Sequence, residues 1–227
     1  MLKRLKIQHR IAGVILLMTL GVVAIMAVSL VEQRRTLLED RQTTVKEEVL
    51  TALGMINAYA ERVKKGELSL EQAQRQVHDD IHQMRYGNGD YFFAYNLDGI
   101  AMIQPGNPKM EGQSGLGLVD PDGVKLVVEL IAAAKAGGGY VAYRFPRAGS
   151  DVPLPKISYA ALVPDWNWMI GTGIYVDDVD AAFKDVAIKQ GAIALVVLLI
   201  GLGGAFLVAR GITRPIVAMT GAMGHLA

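Results

Sequence analysis

Two uncharged runs bound what this chain can become. IAGVILLMTLGVVAIMAVSLV, residues 11–31, and GAIALVVLLIGLGGAFLVA, residues 191–209, carry no ionisable side chain. At about 1.5 Å rise per residue they span roughly 31 and 28 Å as helices, enough to cross the hydrocarbon core of a bilayer. A cleaved leader would have an apolar stretch of about 7–15 residues followed by a small-residue cleavage site. The first run is longer than that, and no clear site of this kind follows it. The sequence therefore predicts two membrane helices, 11–31 and 191–209, with residues 32–190 as one domain between them. That segment is long enough to bury a core of its own.

Charge supports the same division. All 22 acidic residues lie between Glu32 and Asp185, whereas the flanks hold Lys3, Arg4, Lys6, Arg10, Arg210 and Arg214 and no acid. Basic flanks favour the cytoplasmic side. Arg34, Arg35, Arg41 and Lys46 balance the four basic residues before the first helix, but a segment this long is largely exempt from the charge bias. Residues 1–10 and 210–227 are thus expected in the cytoplasm and residues 32–190 outside it, in the periplasm of an inner-membrane protein. The net charge of +1 gives no electrostatic reason to expect nucleic acid. The absence of cysteine excludes disulfides and thiolate metal sites.

Within 32–190 the helical signals come first. Between Glu32 and Lys65 there is no proline and one glycine, and Leu38, Val45, Val49, Ala52, Ile56 and Val63 recur near a 3.5-residue period. This predicts a long helix continuous with the first membrane helix. Its apolar stripe packs on its own domain, forms the seam of a homodimer, or does both, and a homodimer is expected. Ser69 with Gln72 three residues on is a capping-box pattern, predicting a second helix from Leu70 to Arg85. Beyond Gly89 the pattern turns to strands at 91–96, 100–104, 140–145, 156–163 and 168–175, with a helix at 124–136. The fold class is α+β with a five-stranded antiparallel sheet.

Twelve of the fifteen aromatics lie between Tyr86 and Tyr175. Alternation puts Tyr91, Phe93 and Tyr95 on one face of the first strand, with Phe92 and Ala94 on the other. Phe92 suits packing against helices, while tyrosine hydroxyls suit a lined cavity better than a dry core. Trp166, Trp168 and Tyr175 read as structural.

DYFFAYNLDGIAMIQPGNPKMEGQS, GGGYVAYRFPR and PLPKISYAALVPDWNWMIGTGIYVDD together resemble a single Cache domain of the second type, a PAS-like extracytoplasmic sensor held between two membrane helices. RGITRPIVAMTGAMGHLA, residues 210–227, resembles the start of a HAMP linker. The layout is similar to the N-terminal part of a bacterial methyl-accepting chemotaxis protein. The resemblance implies a ligand pocket on one side of the sheet, often for short organic acids, and cytoplasmic chemotaxis partners reached through a part beyond this sequence. It also implies a lysine at Lys156. Members often carry His-Pro where this chain has Gln104-Pro105, and glutamine cannot become cationic.

The expected ligand-binding residues are Arg85, Tyr91, Phe93, Gln104, Tyr143, Lys156 and Tyr159, with Arg85 and Lys156 supplying positive charge to a carboxylate. No cofactor is expected. His78 and His82 stand four apart in HDDIH, a spacing that could begin a metal site, but no third ligand is evident and a solvated helix face is the expectation. Neither a nucleophile with its base nor a phosphate loop is present, so an enzyme is not expected. The same front end could serve a histidine kinase or diguanylate cyclase, or the domain could be a closed structural anchor.

Overall fold

The structure is a computed structural model that describes residues 7–87 and 89–208, the side chains of 7–13, 16, 205 and 208 excepted. The HAMP-like residues 210–227 lie outside the described residues. The chain divides into two units, one of them Thr36–Ala181 and the other the two terminal segments.

In the terminal segments, helices α1 (Ile7–Lys64) and α4 (Val176–Val208) are each long and apolar enough to cross a membrane, and their apolar windows are unburied. α1 is a single helix from the first apolar run into the second unit, as the absence of proline predicts.

The unit Thr36–Ala181 is a five-stranded antiparallel sheet with helices on both faces. Its elements are the C-terminal part of α1, α2 (Leu70–Gln83), β1 (Phe93–Asn96), β2 (Ala101–Ile103), α3 (Leu126–Lys135), β3 (Gly139–Pro146), β4 (Pro153–Val163) and β5 (Trp168–Tyr175). The strand order is β2-β1-β5-β4-β3. β1 and β5 are therefore neighbours although more than 70 residues separate them in sequence. The capping box forms as predicted: Gln72 N–H donates to Ser69 Oγ at 3.1 Å and Ser69 N–H to Gln72 Oε1 at 2.9 Å. α2 ends at Gln83 rather than Arg85, because Met84 turns to extended backbone as its C-cap.

Two cores follow from strand alternation. On one face Val45, Val49, Ala52, Ile56 and Ala60 of α1 and Ala73, Val77 and Ile81 of α2 pack on Phe92, Ala94, Ile103, Ile170 and the Trp166–Trp168 pair. The apolar stripe of α1 is thus largely covered by its own domain, with Leu38 and Val63 only partly buried. On the other face Leu126, Val127, Leu130 and Ile131 of α3 cover Tyr91, Phe93, Tyr95, Tyr143 and Met169. Phe92 and its flanking aromatics fall on opposite faces, as period-two alternation requires.

Candidate functional site

The second face encloses a narrow cavity lined by Tyr91, Phe93, Tyr95, Gln104, Leu126, Leu130, Tyr143, Phe145 and Lys156. Its empty space, counting the solvent at its mouth, is about 220 Å³, and about one water molecule fits inside. Two glycines set its floor and rim. A Cβ at Gly171 on β5 would lie 2.8 Å from the ring of Phe93, so the missing side chain lets that ring lie against the sheet. A Cβ at Gly106 would lie 2.2 Å from the Tyr91 hydroxyl, so the loop after β2 can close over Tyr91 only with glycine there.

Lys156 is the cation of the site. Ladder pairing places it beside Tyr143 of β3 and Tyr175 of β5, and it is 2% exposed. Its ammonium sits 4.7 Å from the ring centroid of Tyr91, 4.8 Å from Tyr175, 5.8 Å from Phe145 and 5.9 Å from Phe93. The negative faces of these rings stabilise a desolvated ammonium. Burial nonetheless lowers its pKa to about 8, with the Asp90 carboxylate opposing that shift and Arg147 adding to it. The Asp90 carboxyl is itself raised, mainly by burial, with Lys156 acting against the rise.

The tyrosine hydroxyls are already engaged. Tyr143 shares a 2.8 Å hydrogen bond with Ser158 Oγ, and Tyr91 is hydrogen-bonded to Tyr175. Tyr175 in turn donates to the Pro146 carbonyl at 2.8 Å. Burial raises the pKa of all three, so they stay protonated. Gln104, 3% exposed, donates from Nε2 to the Tyr95 hydroxyl at 3.1 Å. Its Oε1 is buried without a partner. A flip of the amide would exchange these two atoms, so either a free acceptor or a free donor faces the cavity.

Five of the seven predicted residues, Tyr91, Phe93, Gln104, Tyr143 and Lys156, line the cavity. Two do not. Arg85 is exposed, with Nη1 donating to the carbonyls of His82 at 2.8 Å and Met84 at 2.7 Å, so its charge serves the end of α2. Tyr159 lies on the opposite face of β4, packed edge-on against Tyr140 at 5.0 Å. It is three residues from Lys156, an odd separation, and strand parity alone separates them. The residues missed are Tyr95, Phe145, Leu126 and Leu130 on the walls and Tyr175 beneath the ammonium. Phe145 shares a face with Tyr143 by parity. Tyr175 becomes a partner only through the β4–β5 register.

A central antiparallel sheet with long helices on one face and a small cationic aromatic cavity on the other defines a PAS-like sensory domain. Residues 37–189 match the family described as Single Cache domain 2, and the chain belongs to it. It is 37% identical over 184 residues to the methyl-accepting chemotaxis protein McpP of Pseudomonas putida, covering 79% of this chain and 33% of that one. It is 31% identical over 180 residues to the methyl-accepting chemotaxis protein CtpM of Pseudomonas aeruginosa, covering 78% and 32%. It is also 40% identical over 111 residues to the sensor histidine kinase MctS of Rhizobium johnstonii, covering 49% and 24%. The chain spans a third or less of the length of these curated relatives. Among solved structures, a periplasmic sensor domain of a chemotaxis protein aligns with TM-score 0.60 at 35% identity, covering 61% of this chain and 97% of that one. A Cache chemosensory domain described for carboxylic acid recognition aligns with TM-score 0.60 at 35% identity, covering 63% and 97%.

Proposed function

We propose that the chain is the sensory front of a transmembrane chemoreceptor that binds a small carboxylate over Lys156 and passes the change into α4. The observation that carries this is a buried ammonium, held over aromatic rings at the wall of a cavity, beside a buried amide with one unpartnered atom. A carboxylate would replace weak ring contacts with charge-assisted hydrogen bonds, each contributing about 1.5–3 kcal/mol. The carboxylic acid recognition described for a related Cache domain supports the same ligand class.

The narrow cavity limits the ligand to a few heavy atoms and requires its walls to move apart on entry. A ligand of about six heavy atoms is limited to roughly −9 kcal/mol, so affinity is expected to be micromolar or weaker. The periplasmic setting, cytoplasmic termini and HAMP-like linker belong to this proposal, as do cytoplasmic chemotaxis proteins as partners and a homodimer. The identity to MctS favours a second reading, in which the same sensor drives a histidine kinase; the reading frame downstream of Ala227 separates the two.

The direct test is calorimetry of the chain in lipid nanodiscs against acetate, propionate, pyruvate, lactate and malate. Saturable binding of at least one acid, lost in Lys156→Ala, is expected. Binding of none, or undiminished binding by Lys156→Ala, rejects the proposal.

A further inference from the structure

The histidine pair that the sequence left on a solvated helix face has a third member. His78 and His82 stack on α2 with ring centroids 5.4 Å apart. Glu111, which follows the short 3-10 turn Pro108–Met110, reaches both: Oε2 is 3.3 Å from His78 Nε2 and Oε1 is 3.6 Å from His82 Nε2. The second nitrogen of His78, Nδ1, lies 3.1 Å from Asp79 Oδ1. Both ring nitrogens of His78 therefore face carboxylate oxygens. A neutral imidazole has one N–H and satisfies one of them; only the imidazolium donates to both.

The same carboxylate touches the cavity wall. Glu111 Oε1 accepts the backbone N–H of Gln104 at 2.7 Å. The Gln104 side chain lines the cavity, and its carbonyl accepts the Asn107 N–H at 3.0 Å. One glutamate thus joins a partly exposed pair of histidines to the loop that closes over Tyr91.

We infer that His78, His82 and Glu111 form a proton-input site that sets the position of Gln104, so that external acidity tunes the ligand cavity. This rests on the carboxylate-sensor reading and adds regulation to it. Protonation of His78 gives it an N–H for Glu111 and another for Asp79 and fixes the loop; deprotonation leaves His78 one N–H for two carboxylates and loosens it.

The charged groups facing the pair are Asp79 on α2 and Glu111 from the loop. Asp80 is instead bound by the Tyr59 hydroxyl at 2.8 Å, Arg75 is paired with Glu71, and Arg85 folds onto the carbonyls ending α2. His82 stands in the last turn of α2. Burial alone would depress His78, but Asp79 and Glu111 outweigh it and hold its pKa above the usual imidazole value. The clamp is therefore complete below about pH 6.5 and is lost as pH rises through that elevated value. Side chains of His78, His82 and Glu111 are 36%, 32% and 22% exposed, so solvent protons reach them. Among the described residues no group of three or more His, Asp and Glu side chains is arranged to hold a metal ion.

The test is hydrogen exchange by mass spectrometry of the peptide carrying Gln104, on the full chain in nanodiscs from pH 5.5 to 8, with and without EDTA. Protection corrected for intrinsic rate should fall roughly five- to tenfold toward pH 8. His78→Gln with His82→Gln should flatten the response. Glu111→Gln should do the same, since it keeps an acceptor for Gln104 N–H and loses the charge. Flat protection in the wild type, an unchanged response in the double variant, or a response that EDTA removes would overturn the inference. Acetate affinity is measured in parallel, and the wild type should lose more affinity from pH 6 to 8 than the double variant. Equal losses in the two overturn the tuning. Absence of binding by all five acids beside an intact exchange response rejects the carboxylate reading and upholds the proton site.

Discussion

Lys156 and Tyr175 face each other across the β4–β5 ladder, with the ammonium 4.8 Å from the centre of the phenol ring. The same ring carries a second cation. The Arg147 guanidinium lies 4.2 Å from its centroid and pairs at 2.9 Å with both Asp177 and Asp178, in the first turn of α4. One aromatic side chain therefore joins the buried charge of the cavity to the residues that start the second long helix.

Under the proposed receptor reading, that arrangement predicts how a bound acid would be felt at α4. A carboxylate that draws the ammonium away from Tyr175 changes the contacts of the ring, and with them the Arg147 pairing. Hydrogen exchange across residues 176–184 should change when a binding acid saturates the wild type. In Tyr175→Leu the acid should still bind, within about tenfold given the modest energy of one cation–π contact, while the exchange change at 176–184 disappears. A full response in Tyr175→Leu would place the coupling elsewhere.

Lys156 costs the unliganded domain stability. Its pKa is lowered by burial, so the unfolded chain binds its proton more tightly than the folded one, and stability must rise as pH passes from about 8 toward the ordinary lysine value. Lys156→Met replaces the buried charge with an apolar side chain of similar length and should stabilise the ligand-free protein by about 1–4 kcal/mol near pH 7. The gap between variant and wild type should stay constant below pH 8 and narrow above it. Denaturation midpoints across pH 6–10 measure this, and a variant less stable than wild type at pH 7 would refute it.

Ligand affinity should share that window. Anion binding favours the charged ammonium, so binding near pH 8 takes up protons and weakens at higher pH. Calorimetry at pH 8.5 in buffers of different ionisation enthalpy should report proton uptake. None would mean that Lys156 does not meet the anion.

Gly171 has no room for a methyl group. A Cβ there would lie 2.8 Å from the Phe93 ring and 2.9 Å from the Tyr159 carbonyl oxygen. Gly171→Ala should destabilise the fold by about 1–3 kcal/mol, the usual cost of overpacking. Tyr159→Phe keeps the ring on the opposite face of the sheet and should leave acid binding unchanged. The two variants together test whether the cavity lies on the face that alternation assigns.

Much of this was legible because local rules governed it. Ser69 and Gln72 sit three apart and close a capping box; Tyr91, Phe93 and Tyr95 alternate with Phe92 and Ala94, and the two sets enter different cores. Lys156 was recognisable through the resemblance, and its burial confirms that it does not begin the strand in solvent. What failed depended on contacts distant in sequence. Proximity to the aromatic strand suggests Arg85 for the cavity, yet from just beyond α2 it folds back onto the carbonyls of His82 and Met84. Glu111 lies 33 positions from His78, and no helical spacing connects them. Tyr175 meets Lys156 through strand register, which sequence periodicity does not specify.

Tyr175 is the last residue of β5 and Val176 the first of α4, with no connecting loop. A flexible joint would absorb a small twist of the strand and dissipate it. Here there is no slack to take up, so under the proposed receptor reading a rotation of the final strand residues would be delivered to the helix as rotation or sliding along its axis. Inserting two glycines at this seam should therefore silence the output while leaving occupancy of the cavity intact.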